Sequence, residues 1–90
     1  MDAWIEELAA ELGEDALTRE EVNRLLEAAR AVAHRVERKI TPLAAFLLGS
    51  ATGRELAGGA SRDAALASTL EALEGLLPDE PDEGSNGSAG

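Results

Sequence analysis

Ninety residues with 18 acids, 8 bases and a formal net charge of −10 make one small acidic domain, near the lower limit for a single hydrophobic core. The acidity argues against nucleic acid, whose binding is driven by neutralising phosphates, and against anionic membrane surfaces. With no cysteine, a disulfide frame, a thiolate zinc site and a thiol nucleophile are excluded.

The first segment, MDAWIEELAAEL, lacks the basic start and apolar core of a signal peptide. No apolar run approaches the roughly 20 residues needed to span a bilayer, so a soluble cytoplasmic protein with no membrane role is expected. Asp2 is placed to cap a first helix from Ala3 to Leu12, with Trp4, Ile5, Leu8 and Leu12 on one face and Glu6, Glu7 and Glu11 on the other. Gly13 supplies its stop, because glycine takes the left-handed conformation without a Cβ clash.

Thr18 followed by Glu21 is a capping box, and Leu17 and Val22 occupy the positions of a hydrophobic staple around it. A second helix is predicted from Arg19 to about Arg38, with an apolar stripe of Val22, Leu25, Leu26, Ala29, Val32, Ala33 and Val36. Acids at its start and bases at its end agree with the helix dipole.

Thr41-Pro42 opens a third helix, with threonine expected as N-cap and proline at the first helical position. From Leu43 to Ala51 it is apolar or small nearly all round, which predicts the central, most buried element, Phe46 included. Ala45, Gly49, Gly53 and Ala57 recur every four residues. Close packing inside the domain is the expected use of that ridge, with a homodimer interface as the alternative. Gly58-Gly59 ends the helix, and Ser61 caps a fourth, from Arg62 to about Leu77, with Leu66, Leu70, Leu73, Leu76 and Leu77 along its stripe and Pro78 as its stop. The remainder, acidic and then Gly/Ser-rich, has no apolar anchor and reads as a disordered tail. The expected architecture is an all-α four-helix bundle over residues 1–77 with an acidic tail over 78–90.

One polar flank stands out. Between Arg30 and Lys39 lie four bases against one acid, Glu37, in a chain that is otherwise acidic. Arg30, His34 and Arg38 are spaced by four and would stack along helix two, with Glu37 beside His34 in an H-x-x-E pair. Such a flank can hold a phosphate, a carboxylate or an acidic partner helix; the competing reading is an internal salt-bridge network. His34 has no second histidine or cysteine for a metal site, and no serine sits in a nucleophile elbow beside it. No P-loop or dinucleotide fingerprint is present. No catalytic residue, cofactor or metal is therefore expected. Arg30, His34, Glu37 and Arg38 are the candidate partner- or anion-binding residues.

The stretch AARAVAHRVERKITPLAAFLLGSATGR resembles a small bacterial helical family of unknown function. Its members share an Arg-x-Val-Ala-His run, a short basic turn, Pro-Leu, an aromatic and Leu-Leu-Gly, matched here by Arg30, Val32, Ala33, His34, Val36, Arg38, Pro42, Leu43, Phe46, Leu47, Leu48, Gly49 and Gly53. The opening Asp2-x-Trp4 is also similar, whereas Ala31 and Arg35 depart from the acid and glycine of the pattern. Members occur alone or fused to molybdenum cofactor guanylyltransferases. The resemblance implies a place in molybdopterin-guanine dinucleotide biosynthesis, with a guanylyltransferase or a molybdoenzyme maturation factor as protein partner. It does not imply guanylyl transfer by this chain, which lacks the Gly-rich nucleotide-binding loop. The expected function is a non-catalytic accessory or interaction module; the alternative is a small anion- or ligand-binding domain using Arg30, His34 and Arg38.

Overall fold

The computed structural model describes residues 3–79, so the Asp2 cap and the tail from residue 80 onward lie outside the described residues. Over the described residues the chain is an all-α bundle of four helices: α1 Ala3–Leu12, α2 Arg19–Arg35, α3 Thr41–Ala57 and α4 Arg62–Leu76. A 3-10 turn, Arg38–Ile40, joins α2 to α3.

The boundaries follow from local chemistry. Helix α1 ends at Gly13 (φ +73°), where the Gly13 N–H donates to the Ala10 carbonyl and the Glu14 N–H to the Ala9 carbonyl, a Schellman closure. Gly59 (φ +108°) closes α3 in the same way, through bonds to Leu56 and Glu55. Ser61 caps α4 by accepting from the Ala64 N–H. At the start of α2 the expected capping box is complete. The Glu21 N–H donates to Thr18 Oγ1 at 3.1 Å, and the Thr18 N–H donates to Glu21 Oε1 at 2.9 Å.

Two boundaries differ from expectation. Helix α2 stops at Arg35, because Val36 (φ −114°, ψ −82°) and the extended Glu37 (φ −168°, ψ 138°) bend the chain before Arg38. Thr41 does not cap α3. It is itself helical (φ −53°, ψ −49°), whereas an N-cap needs extended backbone; the 3-10 turn feeds straight into the helix. Its hydroxyl is buried and has no hydrogen-bond partner among the described residues.

The core centres on α4, not on α3. Among the described residues, Val32 of α2 and Ala65, Leu66 and Leu70 of α4 are the buried apolar ones, joined by Thr69 and Glu21. Helix α3 buries no residue, and Phe46 is 75 % exposed. The reason is that a helix apolar all round shows how much surface needs cover, not which side receives it. Position is set by specific ties. Arg62 joins α4 to α2, as described below. Thr69 donates its one hydroxyl proton to the Leu66 carbonyl at 3.1 Å, so Thr52 of α3 donates to Thr69 at 3.0 Å. Ser68 adds a bond to Glu55 of α3. Helix α4 is thereby held between its neighbours. The glycine ridge has no internal packing role either, since a Cβ built on Gly49 or Gly53 meets nothing within 4 Å.

Leu70→Ala is expected to lower stability by about 2–5 kcal/mol, as for other buried leucines. Phe46→Ala, measured in dilute solution, should change it by less than about 0.5 kcal/mol. Gly49→Ala should raise it by up to about 1 kcal/mol, because the site is open and alanine is the better helix former. Chemical denaturation of the three variants checks this ordering.

Candidate functional site

Three features of the surface bear on function: an ion-pair node that shapes the bundle, an apolar groove, and the basic flank.

The node is built on Glu21, which is only 8 % exposed. Arg62, the first residue of α4, donates from Nε to Glu21 Oε2 at 3.0 Å and from Nη2 to Oε1 at 2.9 Å. This is a two-pronged guanidinium–carboxylate pair. The same guanidinium donates to the carbonyls of Asp15 at 2.9 Å and Ala16 at 3.3 Å, fixing the loop that follows α1. Burial pushes the Glu21 carboxyl up, but the Thr18 N–H and the hydrogen bonds and charge of Arg62 outweigh it and hold the carboxyl below its ordinary value. Sequence reasoning treated Thr18/Glu21 as a local cap and gave Arg62 no role. A signal was present: a base in the first turn of a helix opposes the dipole, so a tertiary partner should compensate it.

An open groove of about 820 Å³ runs among the four helices. Ile5, Leu8 and Leu12 of α1, Leu25 and Ala29 of α2, and Leu48, Gly49 and Leu56 of α3 line it, with Leu66 and Leu73 of α4. Glu14, Asp15, Thr41, Thr52 and Arg62 are its polar lining residues. Helix α1 forms one wall yet buries no residue, and Leu12 remains 65 % exposed. The predicted stripes divide: Val32, Leu66 and Leu70 are buried, while Trp4, Val36 and Leu76 stay exposed and Ile5, Leu8, Leu12 and Leu25 line the cleft. A second, smaller hollow of about 350 Å³ lies between α2 and α4 beside Arg24, Ala31, Arg35 and Leu70.

The basic flank is split. Arg30 and His34 lie one turn apart on α2, both exposed. Glu37 and Arg38 fall beyond the bend at Val36, so the expected ladder of three and the helical His34/Glu37 pair do not form. Glu37 instead lies 3.6 Å from Lys39, in an exposed pair. Arg35 turns to the protein, donating from Nε to the Pro78 carbonyl at 2.8 Å. Arg24 lies 3.8 Å from Asp63. The side chains of Arg30, His34 and Arg38 make no hydrogen bond or ion pair among the described residues. Among the described residues no cluster of three His, Cys, Asp or Glu could hold a metal ion, and no helix is long and apolar enough to cross a membrane.

A family described as "Domain of unknown function (DUF6457)" matches residues 1–85. The chain belongs to this family. The match takes in all four helices of the DUF6457 domain, both walls of the groove and the whole basic flank. No curated protein and no solved structure matches the chain.

Removing one partner of the node strands the other charge in a half-dry site. Arg62→Ala should cost about 3 kcal/mol, and Arg62→Lys should restore only part, because an ammonium cannot span both carboxylate oxygens. The lowered carboxyl makes the contribution of Glu21 complete above the ordinary carboxylate value of about 4.3. It is lost as pH falls through the lower folded-state value. Stability measured from pH 7 downward should therefore fall less steeply in Glu21→Gln than in the parent. On the flank, Arg30→Ala combined with Arg38→Ala should leave the melting temperature unchanged, since exposed unpaired charges contribute little.

Proposed function

We propose that this domain is a non-catalytic accessory module that takes up a partner protein in the four-helix groove. The observation that carries the reading is the groove itself: about 820 Å³ of open space walled by leucine, isoleucine, alanine and glycine. Large contiguous apolar surface at the water interface marks interaction sites, and an amphipathic helix laid into such a groove is a recurring mode of recognition. The resemblance of residues 30–53 to domains fused to molybdenum cofactor guanylyltransferases supports a setting. In that reading the domain acts in the cytoplasm in molybdenum cofactor maturation, with a guanylyltransferase or a molybdoenzyme maturation factor as partner.

Calorimetric titration of the full chain with a molybdenum cofactor guanylyltransferase, and separately with a maturation factor, tests this. Binding of one of them is expected, with the negative heat-capacity change of apolar burial. Gly49→Leu, which fills open space in the groove, should weaken that binding at least tenfold while the domain stays folded by circular dichroism. Failure of both candidates to bind, or unchanged binding by Gly49→Leu, would discard the reading.

A second reading, anion binding by Arg30, His34 and Arg38, draws support from the lack of internal partners for these three groups. Phosphate titration followed by chemical shifts at His34 checks it. Shifts that persist after Arg30→Ala with Arg38→Ala would count against it.

A further inference from the structure

Helix α3 is apolar on two opposite sides. One side lines the groove; the other carries Leu43, Phe46 and Leu47, which at spacing i, i+3, i+4 form a single ridge. These three are 59, 75 and 67 % exposed. One exposed leucine needs no explanation, but three adjacent large apolar side chains make a patch that needs a cover. The ridge has a base at each end, Arg38 in the 3-10 turn and Arg54 on the same face of α3. Both are exposed, and neither has an ion pair among the described residues. In a chain of net charge −10 this frame is locally positive. It fits an occupant that is apolar along one edge and acidic beside it.

The chain contains such an element. On α1, Leu8 and Leu12 stand one turn apart, 37 and 65 % exposed, next to Glu7 and Glu11. Glu6, Glu7 and Glu11 have no ion pair among the described residues, and α1 holds no base. We propose that the outer ridge of α3 binds α1 of a second copy, and that the exchange is reciprocal, giving a two-fold dimer in which each surface is used twice. Charge selects this pairing over α3 against α3: two antiparallel ridges would bring Arg54 of one copy toward Arg38 of the other, whereas α1 brings only glutamates to the positive side of the chain. On α3 the dimer surface lies on the side away from the groove, while on α1 it uses Leu8 and Leu12 of the groove wall; because it involves no other protein, absence of a dimer would leave partner binding in the groove standing.

Complementation tests it. By sedimentation of the full chain at about 0.1 mM, where even a dimer of micromolar affinity is filled, the parent should be dimeric and should dissociate as salt is added. Leu12→Glu and Phe46→Glu change exposed residues, so both should keep their helix content and each alone should be monomeric. Mixed in equal amounts, they should recover part of the dimer mass, because the intact α1 of one copy meets the intact ridge of the other in one of the two reciprocal contacts. Trp4, the single tryptophan, reports the same event through its fluorescence. A monomeric parent, a dimeric Phe46→Glu or a mixture that stays monomeric would each overturn the proposal.

Discussion

The bundle depends on one carboxylate. Glu21 closes the cap of α2 by accepting from Thr18 through Oε1, and through Oε1 and Oε2 it receives the guanidinium that opens α4. A helix start is usually a local matter, settled within four residues. Here it is coupled to a contact 41 positions away in the chain, and through Arg62 to the loop after α1. Three helices thus take their relative placement from a single acid. Because both carboxylate oxygens accept from Arg62, the pair can sit in a half-dry position that an isolated charge would occupy only at a cost.

That constraint explains the uneven burial. Once α4 is tied to α2 at its first residue and to α3 through Thr52 and Thr69, the tightest packing must lie along α4, where Ala65, Leu66 and Leu70 are buried. What remains of the apolar stripes on α1, α2 and α3 borders solvent. For so short a chain the core is a scarce resource. A domain that leaves Leu12, Leu43, Phe46 and Leu47 more than half exposed has apolar surface to offer to other molecules, and both the groove and the outer ridge draw on it.

The helices themselves were legible, because their punctuation is local. Thr18 with Glu21, Gly13, Gly59 and Ser61 each act within a few residues, and each ends or begins a helix where its chemistry requires. The bend after Arg35 was less legible. Val36 continues the apolar period of α2, so periodicity alone extends the helix to Arg38 and aligns Arg38 with Arg30 and His34. Burial was least legible. Trp4, Leu26 and Phe46 carry the same apolar signal as Leu66 and Leu70, and only the non-local bonds of Arg62 and Thr69 decide which of them is covered. The candidate flank shows the same divide: the type of residue was apparent, while its grouping depended on a dihedral at one valine.

The three-way attachment of α4 has a consequence for how the domain comes apart. Local opening is cheapest where an element makes few buried contacts. Helix α1, with no buried residue, can fray and reclose while the rest of the bundle persists. Helix α4 cannot, because its departure unties α2, α3 and the Asp15–Ala16 loop together. Amide protons should thus divide into two populations. Those of α4 would exchange only through complete unfolding, and those of α1 through brief excursions that leave the remaining helices in place.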